Sequence, residues 1–322
     1  MSAEAPSTLR WMSSFELEGQ RIAYTEFGGG PAAVTATGKR GRTARNVPAD
    51  ARPLILIHGL LLSQQMHWPL AEALAARGNR VITVDLLGHG ESDRPRDMWR
   101  YSMHIFGQQV IALMDHLEIE QAAVMGTSLG ANAALEIASQ QPQRLRGMVI
   151  EMPVLDNALL WSALTFTPLL VALTFGEPAM KALARWARAV PRRLLPHYGN
   201  VMLDLVRQDP GPGGAVLQGL FFGRVAPHRS ERHTFRTPAL VLGHRRDPVH
   251  PFSDAGELAA ELPNARLLEA NSLLELRLEP ERLTDEIASF LDEIWAPGAA
   301  ANRRAPSRTR AGARPRRQAR AG

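Results

Sequence analysis

The residues from Gly126 to Gly130 place a serine between two glycines, a spacing typical of an activated nucleophile. The apolar run before them predicts a buried strand, and the residues after them predict a helix. Because strand and helix nearly touch across such a turn, the flanking positions need residues without a Cβ. The alternative is a glycine-rich turn with an incidental serine. We take Ser128 as the candidate nucleophile, with the backbone amide of Leu129 as a donor to an oxyanion.

Three further apolar runs, at 54–57, 81–84 and 239–243, also predict strands buried on both faces of a parallel sheet. Polar residues follow each run directly: His58-Gly59, the stretch 85–92 and Asp247-Pro248. Open α/β sheets build their sites at the carboxyl ends of their strands. The pattern therefore predicts one site assembled from several strand ends.

These motifs, in this order, resemble the α/β-hydrolase superfamily over residues 15–295. The resemblance rests on the His58-Gly59 turn, the Gly88-His89-Gly90-x-Ser92 turn, the serine turn and the Asp247 loop. It implies an α/β fold with a mostly parallel central sheet flanked by helices, and a helical lid inserted between the sixth and seventh strands. It also implies that Asp247 is the acid of a catalytic triad, and that the amides of Leu60 and Leu129 form the oxyanion hole.

The resemblance implies a histidine after the last strand, but Leu273 occupies that position and no histidine follows His250. His250 lies three residues after Asp247 on the same loop and is the candidate base, although so near a neighbour need not point at the serine. His67 is a weaker candidate. Glu275 and Arg277, in the loop that lacks the histidine, are expected to be solvated rather than to face the site.

Two functions stay open. The favoured one is a serine-dependent hydrolase of small apolar esters or related acyl compounds, acting through an acyl-enzyme on Ser128. The alternative is a non-catalytic ligand-binding or interaction protein that has lost its base. Neither the substrate's identity nor the oligomeric state follows from the sequence.

The composition suits one catalytic domain with an insertion, since the chain has 322 residues of which 45% are hydrophobic. No cysteine is present, and neither metal-ligand spacing nor a dinucleotide motif is visible, so no metal or cofactor is expected. Residues 1–10 lack the apolar segment of a secretory signal, and we expect a cytoplasmic protein.

The predicted organisation is an N-terminal extension (1–14), a core (15–154 and 236–296) with a loop insertion (28–52), a lid (155–235) and a disordered tail (297–322). The tail holds eight arginines and no acid, so the net charge of +5 becomes −3 for residues 1–296. A functionally neutral tail is favoured over one that binds nucleic acid. The uncharged stretch 157–176 is expected to be a lid helix packed on the core, with weak membrane contact as the less favoured alternative.

Overall fold

The computed structural model describes residues 10–28 and 52–298, in which eight strands form one sheet. The strands are β1 (Arg10–Leu17), β2 (Gln20–Phe27), β3 (Pro53–Ile57), β4 (Arg80–Val84), β5 (Ala122–Thr127), β6 (Leu145–Glu151), β7 (Ala239–His244) and β8 (Ala265–Ala270). Their order across the sheet is β1-β2-β4-β3-β5-β6-β7-β8. β1 pairs antiparallel with β2 and β2 with β4, whereas all pairs from β4 to β8 are parallel. The predicted mostly parallel sheet is confirmed.

Eleven α-helices connect the strands in the described residues. They are α1 (Trp68–Ala75), α2 (Met103–His116), α3 (Leu129–Gln140), α4 (Ala158–Phe175), α5 (Glu177–Ala189), α6 (His197–Arg207), α7 (Pro210–Phe222), α8 (Arg229–Arg232), α9 (Phe252–Glu261), α10 (Glu275–Leu278) and α11 (Glu281–Trp295). Helices α4 to α8 all lie between β6 and β7 and form what we call the helical insertion.

Strands β3 to β7 are almost wholly buried because both faces of the sheet are covered there, whereas the edge strands β1 and β8 are largely exposed. Successive residues of a strand point to opposite faces of the sheet and belong to different apolar clusters. Ile55 of β3 lies in the cluster that includes residues of α2, α3 and α9, and Leu56 lies in the cluster that includes residues of α1 and α11. The sheet is therefore a rigid central layer whose strand ends hold the site.

One boundary differs from the sequence prediction. β1 begins at Arg10 rather than Phe15, because its first residues pair with the end of β2, starting with Arg10 opposite Phe27. Residues 10–14 are thus part of the sheet and not of an extension. The predicted loop insertion 28–52 and the arginine-rich tail lie almost wholly outside the described residues.

The helical insertion contacts the core through α7, whose Ala215 and Val216 join the apolar cluster that contains Ile55, and through one stripe of α4. Phe166 and Leu170 pack around Leu61, Leu173 and Leu217, which are buried. The start of α4 is anchored by Asp254, whose buried carboxylate accepts hydrogen bonds from the backbone amides of residues 155, 157 and 158 at 2.7, 3.2 and 3.1 Å. A negative charge at a helix N-terminus is stabilising.

The rest of α4 differs from the expected packed helix. Within the helix, only Ala158 and Leu173 are buried. Among the described residues, α4 is the one helix long and apolar enough to cross a membrane, with a mean hydropathy of 1.8 and 11% of its residues buried. The side of α4 that carries Leu173 is packed as predicted, whereas the opposite side of the helix is exposed.

Candidate active site

The turn that carries Ser128 joins β5 to α3 and has a strained backbone. Ser128 has a φ of 54° and a ψ of −112°, outside the regions that L residues normally adopt. A Cβ on Gly126 would lie 2.0 Å from the carbonyl carbon of Gly130, and a Cβ on Gly130 would lie 2.2 Å from the carbonyl oxygen of Ile57. Both glycines are therefore required where the sequence predicted them, and the turn holds Ser128 between strand and helix.

The three candidate triad residues lie within hydrogen-bonding distance of one another. The Ser128 hydroxyl oxygen is 2.8 Å from His250 Nε2. The other ring nitrogen, His250 Nδ1, is 2.8 Å from Asp247 Oδ2. With Nδ1 protonated and donating to Asp247, Nε2 is free to accept the serine proton, which is the arrangement of a nucleophile, a base and an orienting acid.

The short separation between Asp247 and His250 is accommodated by the fold of their loop. Asp247 Oδ1 accepts hydrogen bonds from the backbone amides of Val249 and His250 at 2.8 and 2.9 Å. These bonds curl the loop so that the imidazole turns back over the carboxylate. Burial raises the pKa of Asp247, but the hydrogen bond and charge of His250, together with the two amides, outweigh burial and hold that pKa below its usual value.

The two candidate oxyanion donors lie on neighbouring turns. Leu129 directly follows Ser128 and is the first residue of α3, so its amide is one of the unpaired donors of a helix N-terminus. Leu60 follows Gly59 at the end of β3, the neighbour of β5. A Cβ on Gly59 would lie 3.7 Å from the carbonyl oxygen of Thr127. The turn that carries Leu60 therefore lies against the turn that carries the serine.

The loop after β8 does not supply the base, and its charged residues are not solvated as expected. Leu273, at the position where the resemblance placed a histidine, is exposed. Glu275 is buried, bonds to Arg282 at 2.7 Å and accepts from the amide of Asn271. Arg277 points inward. The prediction of a solvated pair was wrong because each charge has a partner inside the fold, which loop composition alone does not reveal.

The partner of Arg277 is Glu151, the last residue of β6, which is 1% exposed. The Glu151 carboxylate accepts from Arg277 at 2.8 Å and from the Thr127 hydroxyl, and it lies 3.6 Å from His244 Nε2. Its backbone oxygen accepts from the amide of Ser128 at 2.9 Å. Burial raises the pKa of Glu151, but Arg277 and His244 outweigh burial and hold it well below its usual range.

Sequence reasoning missed this ionic cluster. The available signal was Glu151 itself, a carboxylate at the carboxyl end of an apolar strand, which is the same signal that identified Asp247. The cluster lies directly behind the serine turn and supports it from the side of β6.

The other candidate base, His67, is fully buried, and its Nε2 lies 3.1 Å from the carbonyl oxygen of Ile57. Burial, with the nearby charge of Arg277, lowers the pKa of His67 to about 3. Such an imidazole is a poor proton acceptor at neutral pH. His58 and His89 are also buried and bond to backbone groups of the adjoining turns, as expected for structural residues.

Within residues 10–28 and 52–298, no group of three or more His, Cys, Asp or Glu side chains is placed to hold a metal ion. The chemistry available from the assembled groups is proton transfer and nucleophilic attack by a hydroxyl.

Comparison with known proteins gives a family and several hydrolases. The family model described as alpha/beta hydrolase fold matches residues 52–272, more than half of the chain. A 2-hydroxymuconate semialdehyde hydrolase of Pseudomonas sp. (strain CF600) is 37% identical over 100 residues, which is 30% of this chain and 35% of the relative's length. A putative carbamate hydrolase, RutD, of Pseudomonas savastanoi pv. phaseolicola is 27% identical over 245 residues, covering 74% of this chain and 91% of the relative.

Among solved structures, the enol-lactonase from Burkholderia xenovorans LB400 superposes with a TM-score of 0.65 at 21% identity. The alignment covers 87% of this chain and 100% of the enol-lactonase. At this identity the likeness shows the fold.

Proposed function

The chain belongs to the α/β-hydrolase fold family, and we propose that it is a serine-dependent hydrolase of esters or related acyl compounds. The observation that carries the proposal is the pair of 2.8 Å contacts that join Ser128 to His250 and His250 to Asp247. A protein that kept the fold but catalysed no reaction would gain nothing from aligning these three side chains. The hydrolases among its relatives also support hydrolytic chemistry.

In the proposed acylation, the Ser128 hydroxyl gives its proton to His250 Nε2 while its oxygen bonds to the acyl carbon. The carbonyl electron pair moves onto oxygen, and the amides of Leu60 and Leu129 donate to this oxyanion. When the electron pair returns, the bond to the leaving alcohol breaks and His250 gives its proton to the alcohol oxygen. The acyl group is then held as an ester of Ser128.

Deacylation repeats these steps with water. His250 takes a proton from water as the water oxygen bonds to the acyl carbon, and the second oxyanion is held by the same amides. Its collapse breaks the bond to the Ser128 oxygen, which recovers the proton from His250 as the carboxylic acid leaves. Asp247 stays ionised throughout and stabilises the imidazolium.

The proposed substrate class is an apolar acyl compound. Leu60 packs against the apolar cluster of Leu61, Leu173 and Leu217, which joins the oxyanion turn to the helical insertion. An acyl chain that reaches Ser128 would meet these side chains, and the insertion would then act as a lid. Apolar contact of this kind contributes about 0.8 kcal/mol per buried methylene group.

Labelling with a fluorophosphonate probe tests the proposal, because the probe reacts only with an activated serine. We expect the wild-type protein and Ser128→Ala to fold alike, with labelling confined to the wild type and hydrolysis of short p-nitrophenyl esters reduced about 10⁶-fold in the variant. Ser272→Ala, at an exposed serine, is the control and should label normally. If folded wild-type protein neither labels nor hydrolyses the esters, the non-catalytic alternative replaces this proposal.

A further inference from the structure

The helical insertion carries a set of exposed apolar side chains on three neighbouring helices. We call this set the outer face, and it consists of Leu160, Trp161, Leu164, Val171 and Phe175 of α4, Leu183 and Trp186 of α5, Leu194 in the following turn and Met202 of α6. Phe175 is 83% exposed, and Trp186 and Leu194 are each 67% exposed. Single exposed apolar residues are ordinary, but a group of this kind marks an interaction site.

The outer face follows from the sequence of α4. Residues 160, 164, 171 and 175 recur at a helical spacing that puts them on one side, and the stretch 157–176 contains no charge. The opposite side of the helix packs against Leu61 and Leu217. An α-helix that is apolar all round is buried in protein or in lipid. The inner side of α4 meets protein, and the outer side requires another apolar partner.

The charges around the outer face indicate what that partner is. Residues 158–207 contain six Lys and Arg residues and two acids, a net charge of +4 in a chain whose residues 1–296 carry −3. Arg185 and Arg193 are exposed, and neither has an ion pair or a side-chain hydrogen bond among the described residues. Each directly precedes an exposed apolar residue, Trp186 and Leu194 respectively. Alternation of cations with tryptophan and leucine is typical of surfaces that lie in the headgroup region of a membrane.

We propose that the outer face docks on an anionic lipid bilayer, with α4 lying in the interface rather than crossing it. Crossing would require α4 to leave the core, yet its first turn is held by Asp254 and its inner stripe by Leu61. A second copy of the chain is disfavoured as the occupant, because a two-fold interface would bring two surfaces of like charge together. Anionic headgroups complement the arginines, and acyl chains cover the apolar side chains.

Flotation of the full chain with lipid vesicles tests the docking independently of turnover. The vesicles are pure phosphatidylcholine, or phosphatidylcholine with a quarter phosphatidylglycerol. The variant pair Leu164→Glu and Phe175→Glu places two charges on the outer face. The control pair Met12→Glu and Leu267→Glu adds the same charge at residues that are 56% and 41% exposed on β1 and β8.

We expect the wild type and the control pair to float with the anionic vesicles and the outer-face pair to bind at least tenfold more weakly. Arg185→Gln and Arg193→Gln should each weaken binding to the anionic vesicles about fivefold and leave binding to phosphatidylcholine unchanged. All variants keep the arginine-rich tail. If the outer-face pair and the control pair bind the anionic vesicles equally well, vesicle binding belongs to the tail and the proposal is overturned. Light scattering that shows a wild-type dimer, dissociated only by the outer-face pair and without flotation, would also overturn it.

Discussion

The loops after β7 and β8 lie at the same edge of the sheet, yet they use their charged side chains differently. After β7, Asp247 and His250 bond to each other, and His250 reaches Ser128. After β8, Arg277 is paired with Glu151 and contacts Thr127, the residue before the serine, at 3.3 Å. One loop brings the His250 imidazole to Ser128, and the other supports the turn that carries this serine. The local hydrogen bonds of a loop decide which of these two roles it takes.

Of the changes to these loops that keep His250, Asp247→Asn is expected to lower the rate of ester hydrolysis most. The asparagine side chain keeps the shape of the loop. It no longer stabilises the His250 imidazolium or fixes the tautomer in which His250 Nε2 accepts a proton. We expect kcat/KM for p-nitrophenyl esters to fall about 10⁴-fold, by analogy with the same change in a serine protease. Asp292→Asn, at an exposed carboxylate on α11, should leave the rate unchanged. Equal rates for both variants would remove Asp247 from the site.

The loop after β8 is expected to matter for stability. Arg277→Met would leave Glu151 buried without its cation, and breaking a buried pair in this way costs about 3–5 kcal/mol of unfolding free energy. Arg266→Met is the matched control, because the Arg266–Glu293 pair is exposed; loss of such a pair costs about 0–1 kcal/mol. Urea denaturation compares the two. If both variants lose the same small unfolding free energy, the ionic cluster around Glu151 does not support the serine turn.

The smallest effect is expected from Leu273→His, which restores a histidine to the loop after β8. Because His250 already contacts Ser128, the added imidazole should leave the esterase rate close to that of the wild type. Leu274→His, at the adjacent exposed position, serves as the control. General base assistance contributes about 10²–10⁴-fold to a rate. If Leu273→His alone raised the esterase rate by that factor, His250 would not be the general base.

The sequence predicted the parts of the molecule that depend on local chemistry. Ser128 and Asp247 were identifiable because each follows an apolar run, and the serine turn needs glycines that the chain supplies. The direction of the His250 side chain could not be predicted, since it depends on two amide hydrogen bonds to Asp247. The burial of Glu275 was also beyond the sequence, because its partner Arg282 lies in the next helix and only the tertiary fold brings the two together.

α4 shows the same limit at a larger scale. Its apolar composition predicted a helix packed on the core, but composition does not determine how many sides of a helix find protein neighbours. The structure places one stripe against Leu61 and leaves residues such as Leu160 and Phe175 exposed.

His250 is the proposed base, and the most direct measurement of this role compares His250→Ala with the wild type. We expect kcat/KM for short p-nitrophenyl esters to fall about 10⁴–10⁶-fold, approaching the loss expected for Ser128→Ala, and fluorophosphonate labelling of Ser128 to slow in parallel. The melting temperature should stay near that of the wild type, and His104→Ala, at a partly exposed histidine on α2, should change neither rate. Ester hydrolysis and labelling that continue at the wild-type rate in folded His250→Ala would contradict this role for His250.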